Sequence, residues 1–133
     1  MKRKILYYAT DEEGIRRFES FHPDSSIVLW MSPQKFLDLT GGEKFPLSSQ
    51  SYNKIMERLK RRLPLDPLFI DVKRYGDKWK VVSHEGRHRA LASKALGIRN
   101  VPVFIYFRDE SGHYINVPWK FPKEILEAIV PLI

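Results

Sequence analysis

The stretch that decides the fold is Val81-Val82-Ser83-His84-Glu85-Gly86-Arg87-His88-Arg89-Ala90-Leu91-Ala92. Its β-branched start is typical of a strand, and its alanine- and leucine-containing end is typical of a helix. The glycine between the two halves permits a sharp turn and a close backbone approach. The sequence therefore predicts a strand that turns at Gly86 directly into a helix.

The first turn of this helix carries Arg87, His88 and Arg89, which are cationic or can become so. The first N–H groups of a helix have no intrahelical partner, and that end of the helix dipole is positive. Anions bind there for both reasons, and arginine holds phosphate oxygens in a bidentate way. We therefore predict phosphate binding by Gly86, Arg87, His88 and Arg89.

Two residues of the turn, Glu85 and His88, are the candidates for catalysis. Glu85 could ligate Mg²⁺ beside phosphate oxygens or act as a base, or it could pair with Arg87 or Arg89 and orient it. His88 would stabilise phosphate charge. His84 could be a general base or could hydrogen-bond its own turn, and Asp71 could complete a metal site or simply face solvent. No fixed metal site is predicted.

The rest of the chain indicates one mixed α+β domain over residues 1–133. Apolar runs and β-formers predict strands at 4–9, 27–30, 68–72, 79–82, 101–107 and 113–117. Helical periodicity and capping signals predict helices at 11–21, 33–40, 48–63, 86–96 and 122–129. The tryptophans Trp30, Trp79 and Trp119 are expected in the core rather than as base-stacking platforms.

Composition limits the classes of function. The 133 residues contain no cysteine, which excludes disulfides and thiolate chemistry and favours a reducing compartment. No stretch approaches the roughly 18 apolar residues of a membrane span, so we expect a soluble, cytoplasmic protein without a membrane partner. The net charge of +7 and the isoelectric point near 9.7 favour a polyanionic partner.

A second basic cluster lies on the predicted 48–63 helix and comprises Lys54, Arg58, Arg61 and Arg62. Steps of three and four residues place such side chains on one face of a helix. This face could contact the phosphate backbone of a nucleic acid, or it could simply be solvated.

The run from His84 to Ala90, with Leu96-Gly97-Ile98 and Val101-Pro102-Val103 after it, resembles the nucleotide-site motif of the ParB/sulfiredoxin superfamily. The resemblance covers about residues 66–107 and leaves residues 1–45 unplaced. It implies a small mixed sheet flanked by helices, and a site for nucleotide phosphates at Gly86, His88 and Arg89. Arg87 stands where sulfiredoxins carry the catalytic cysteine, so sulfinic-acid repair is excluded. The helix-turn-helix domain of ParB proteins is expected to be missing.

The resemblance implies binding of a nucleotide of the ATP or CTP type, with Mg²⁺ as a cofactor, and with hydrolysis or phosphoryl transfer left open. One alternative is a DNA-binding protein or nuclease that holds a backbone phosphate at the same turn. Another is a non-catalytic module that binds a protein partner. Whether the chain is an enzyme stays open, and so does formation of a homodimer.

Overall fold

The computed structural model describes residues 6–10, 15–16, 24–41, 49–117 and 126–131. Within these ranges the chain forms a five-stranded mixed sheet and helices that pack against it, so the predicted α+β class is confirmed. The elements are β1 (Ser26–Met31), α1 (Pro33–Thr40), α2 (Ser49–Lys60), β2 (Leu68–Tyr75), β3 (Lys78–Glu85), α3 (Arg87–Ala95), β4 (Val101–Arg108) and β5 (Ile129–Val130).

The strands lie in the order β1-β4-β2-β3-β5. β1 runs antiparallel to β4, and β2 and β3 form an antiparallel hairpin, as predicted. The pairs β2–β4 and β3–β5 are parallel. Because Glu85 at the end of β3 lies opposite Phe69 at the start of β2, the beginning of α3 is held beside the beginning of the central strand β2.

The core lies between the helices and one face of the sheet. Alternate residues of β2 and β4 point into it, because successive side chains of a strand face opposite ways. They are buried with residues of all three helices, and these include Phe36, Leu59 and Ala90. The other face of the sheet carries Phe104 and Tyr106, which are also buried, so β4 is apolar on both faces.

Two predicted strands are wrong. Residues 6–10 form no strand, and Tyr8 instead packs into the core while the Ala9 carbonyl accepts a hydrogen bond from the Leu65 N–H. Residues 4–5 lie outside the described ranges. Residues 113–117 contribute one isolated bridge, between Tyr114 and Arg108. The Asp109 carboxylate accepts from the Ser111 and His113 N–H groups and closes a tight turn just before this segment.

Helix α2 ends at Lys60, three residues before the predicted boundary. Arg62 adopts a left-handed φ of 54°, and the Leu63 N–H bonds back to the Arg58 carbonyl. Such a left-handed residue is a common way to terminate a helix. Arg62 therefore leaves the helical face that it was predicted to share with Lys54.

The remaining predictions fall partly outside the described residues. Residues 15–16 are helical, and the rest of the predicted 11–21 helix is not described. Residues 126–128 are helical, but Ile129, the predicted helix end, pairs with Trp79 as part of β5. Trp79 is buried as predicted, whereas Trp30 is 51% exposed and Trp119 is not described. Among the described residues, no helix has the length and apolar character to cross a membrane.

Candidate functional site

Gly86 forms the junction between β3 and α3. Its φ is 125°, a value that side chains rarely permit, and the residue is buried. A Cβ atom at this position would lie 2.5 Å from Cγ of Leu68. The close backbone approach predicted from the sequence is therefore an approach to β2, which locks the turn against the core.

The six residues from His84 to Arg89 line one pocket of about 380 Å³, which we call the turn pocket. Its remaining wall comes from α2, through Ser51 and Ile55. Neither residue is predicted from the sequence to belong to the site. Their spacing of four places them on one face of α2, but which face meets α3 is decided by packing rather than by periodicity.

Glu85 and Arg89 form an ion pair across one helical turn, with Arg89 Nη1 at 3.3 Å from Glu85 Oε1. Arg89 Nη2 also donates to the Pro67 carbonyl oxygen at 3.2 Å. The Arg89 side chain is only 14% exposed, whereas that of Glu85 is 58% exposed. Arg89 is thus anchored to the protein, and Glu85 presents its carboxylate to solvent at the rim of the turn pocket.

Tyr8 brings the N-terminal segment to the same corner. Its hydroxyl donates to the Asp66 carbonyl oxygen and is also hydrogen-bonded to Arg89. Burial raises the pKa of Tyr8, an effect that the positive charge of Arg89 only partly opposes. Tyr8 therefore stays a neutral donor, and no local sequence pattern places it near the turn.

The two histidines of the turn pocket are neutral near pH 7. Burial lowers the pKa of His84, and the positive charge of Arg87 lowers it further. Burial likewise lowers the pKa of His88, helped by Arg87 and then by Arg89. The positive charge of the turn therefore comes from the two arginines and the helix end, not from three cationic side chains.

The first turn of α3 contains no acidic residue, and its N-cap residue, Gly86, has no side chain that could accept from the first N–H groups. Most helices place a carboxylate or a hydroxyl at this position to accept from the first N–H groups. Here Glu85, just before the helix, is the acidic residue in the described lining of the turn pocket, and it is engaged with Arg89. The arrangement suits a negatively charged ligand.

Asp71 lies on the opposite face of the sheet and takes no part in the turn pocket. It is buried and pairs with Arg108, with Oδ2 at 3.2 Å from Nη2. Arg108 also donates to the Gly112 carbonyl oxygen and stacks at 4.1 Å over the Tyr114 ring. The expectation that Asp71 faces solvent is wrong because this pairing buries it. The described residues contain no group of three or more histidines and carboxylates placed to bind a metal ion.

The predicted basic face of α2 is discontinuous. The guanidinium of Arg58 donates to the Pro64 carbonyl oxygen at 2.6 Å, and that of Arg62 lies 5.4 Å from the centre of the Tyr7 ring. Lys54 and Arg61 are exposed. Two of the four predicted nucleic-acid contacts therefore help to fix the end of α2, and binding of nucleic acid there stays a prediction.

No protein-family model matches this sequence, and a comparison with curated proteins finds no match. Among solved structures, the chain is similar to sulfiredoxin from Arabidopsis thaliana, with 16% sequence identity and a TM-score of 0.43. The match covers 64% of this chain and 90% of the sulfiredoxin chain. The likeness concerns the fold alone, so membership of the ParB/sulfiredoxin superfamily stays a prediction.

Proposed function

We propose that the protein binds the phosphate groups of a nucleotide in the turn pocket. The observation that carries the proposal is the meeting of two arginines and a helix N-terminus with a glycine N-cap around about 380 Å³ of space. A helix end and guanidinium groups are the donors that proteins use for phosphate oxygens. The neutral rings of His84 and His88 add hydrogen-bonding groups without adding charge.

The residues of the turn pocket have different roles in this proposal. Arg87 supplies the bidentate phosphate contact, and Ser51 supplies a hydroxyl from α2. Arg89 holds the turn in shape through Pro67, Glu85 and Tyr8, which makes it a positioning residue. Mg²⁺ typically binds through one or two carboxylates together with substrate phosphates, so Glu85 would hold the ion beside the nucleotide. Catalytic roles for Glu85 and His88 stay predictions.

The experiment is a thermal-shift measurement with ATP, CTP, GTP and inorganic pyrophosphate, each with Mg²⁺. A ligand that binds only the folded state, at about 100 times its dissociation constant, adds about 2.7 kcal/mol to the free energy of unfolding. We expect a clear rise in Tm for at least one nucleotide. The rise should vanish in Arg87→Gln, which removes charge from the turn pocket without touching the Arg89 anchor.

The matched control is Arg99→Gln, which removes the same charge from an exposed residue outside the turn pocket. This variant should keep the full response to the nucleotide. If no nucleotide and no pyrophosphate raises Tm, or if Arg87→Gln responds as the unmodified protein does, the turn pocket is not a phosphate site.

A further inference from the structure

A second positively charged surface lies at the closed end of the β2–β3 hairpin. We call Lys73, Tyr75, Lys78 and Lys80 the lysine face. Lys73 lies directly opposite Lys80, and Tyr75 lies opposite Lys78. Directly opposed residues of an antiparallel pair project to the same side of a sheet. Because they alternate with core residues of both strands, the four side chains lie on the sheet face that points away from the helices.

The register of the lysine face sets like charges against one another. Lys73 is aligned with Lys80 on one neighbouring strand and with Arg108 on the other, which makes a cationic row across three strands. Like charges directly opposite one another destabilise a sheet. Asp71 compensates Arg108, but in the described part of the chain neither Lys73 nor Lys80 forms an ion pair. An anionic partner would relieve this repulsion.

Tyr75 gives the lysine face a flat aromatic surface. The residue is 70% exposed, which is unusual for so large a ring. The Lys80 ammonium lies 5.8 Å from the centre of the ring and so places positive charge beside it. A ring that is exposed next to lysines suits a ligand that has both a planar apolar group and a negative charge.

The surroundings of the lysine face form an open depression of about 590 Å³ with net positive charge. The carboxylate of Glu110 borders it and pairs with Arg74 at 3.9 Å. The charged residues that line the depression are therefore Lys73, Arg74 and Lys80 against the carboxylate of Glu110.

We propose that the lysine face binds single-stranded nucleic acid, with the lysines on backbone phosphates and one base stacked on Tyr75. Lysines and exposed aromatic rings are the two elements of sequence-tolerant single-strand binding. A duplex hides the faces of its bases, whereas a single strand can offer one base to the Tyr75 ring. The lysine face lies at the other end of β2 and β3 from the turn pocket and on the opposite face of the sheet. The proposal therefore does not depend on the proposed nucleotide site.

The test is fluorescence anisotropy with a labelled single-stranded oligonucleotide of about 12 nucleotides, within the range of known single-strand sites. In Lys73→Gln/Lys80→Gln, two lost phosphate contacts should reduce the slope of log K against log salt by about 1.4. Tyr75→Ala should weaken binding by about fivefold or more and leave that slope unchanged, because stacking releases no counterions.

The control variant is Lys35→Gln/Arg99→Gln, which removes the same charge from exposed positions outside both the lysine face and the turn pocket. It should bind the oligonucleotide as the unmodified protein does. The Lys73→Gln/Lys80→Gln protein should melt at or above the normal temperature, since the substitutions remove opposed like charges. Weaker binding in that variant therefore cannot be attributed to unfolding.

Three results would overturn the assignment. The first is no binding of the oligonucleotide by the unmodified protein at low salt. The second is an equal loss in Lys35→Gln/Arg99→Gln, which would mean that overall charge decides the affinity. The third is a preference for duplex DNA or for anionic lipid vesicles, which would assign the lysine face to another class of partner.

Discussion

The two faces of the sheet each carry an arginine–carboxylate pair of almost the same length. Arg89 and Glu85 lie 3.3 Å apart at the turn pocket, and Arg108 and Asp71 lie 3.2 Å apart on the opposite face. The carboxylates differ in environment, since the Glu85 side chain is 58% exposed and that of Asp71 is 9% exposed. The nitrogen–oxygen distance alone therefore does not show which pair contributes more to stability.

The difference lies in how completely each region balances its own charge. Asp71 and Arg108 neutralise each other. The Arg108 guanidinium also donates to the Gly112 carbonyl oxygen and stacks on the Tyr114 ring. The turn pocket has one carboxylate against Arg87, Arg89 and a helix N-terminus. A buried, balanced pair supports the fold, whereas a surplus of positive charge beside a cavity favours an anionic ligand.

The largest effect is expected from Gly86→Ala, which breaks the turn. The alanine Cβ would meet Leu68 Cγ at 2.5 Å, and the backbone would have to hold a φ of 125°. Strained backbone and overpacking each cost about 1–3 kcal/mol, so the free energy of unfolding should fall by about 3 kcal/mol. Urea denaturation measures this. An unchanged midpoint would mean that α3 does not depend on the close contact with β2.

The next largest loss of stability is expected from Arg108→Met, which tests how much the buried ion pair contributes compared with the other pair. It leaves the Asp71 carboxylate buried without its partner, which should cost about 3 kcal/mol of stability. At the other pair, Glu85→Gln removes the 58% exposed carboxylate and should cost less than about 1 kcal/mol, because Arg89 keeps its hydrogen bond to the Pro67 carbonyl oxygen. Both are measured by urea denaturation at one pH. Equal losses would show that the burial of the carboxylate does not decide the contribution of the pair.

The elements around the turn could be predicted because their signals are local. The glycine, the β-branched residues before it and the helix formers after it all lie within twelve residues, so the strand–turn–helix follows from sequence. Residues 84–89 line one pocket because they all belong to this strand–turn–helix. Wall residues contributed by α2 could not be found this way, because they depend on how two helices pack.

Local sequence patterns do not predict contacts between segments that lie far apart in the chain. Arg108 meets Asp71 across 37 positions, through the register of the parallel strands β2 and β4. Tyr8 meets Asp66 across 58 positions. The sequence does not predict that α2 ends at Lys60, because Arg62, rather than a glycine, adopts the left-handed conformation there. A positive φ is uncommon in residues other than glycine.

The smallest effect concerns pH and tests the neutral state of the histidines in the turn pocket. His84 and His88 have pKa values below the usual 6.5 in the folded protein, so the unfolded chain takes up protons first as the pH falls. The free energy of unfolding should therefore decrease between about pH 7.5 and 5.5, by less than about 1 kcal/mol because solvent screens both rings. The decrease should be smaller in His84→Gln/His88→Gln.

Pyrophosphate turns this effect into a test of the turn pocket. A bound anion favours the protonated rings, so it should raise both pKa values and reduce the loss of stability at low pH. The same addition should leave the pH dependence of Arg87→Gln unchanged, because that variant lacks the phosphate contact. If pyrophosphate changes the two proteins equally, the anion acts elsewhere, and the surplus charge of the turn has a role other than holding phosphate.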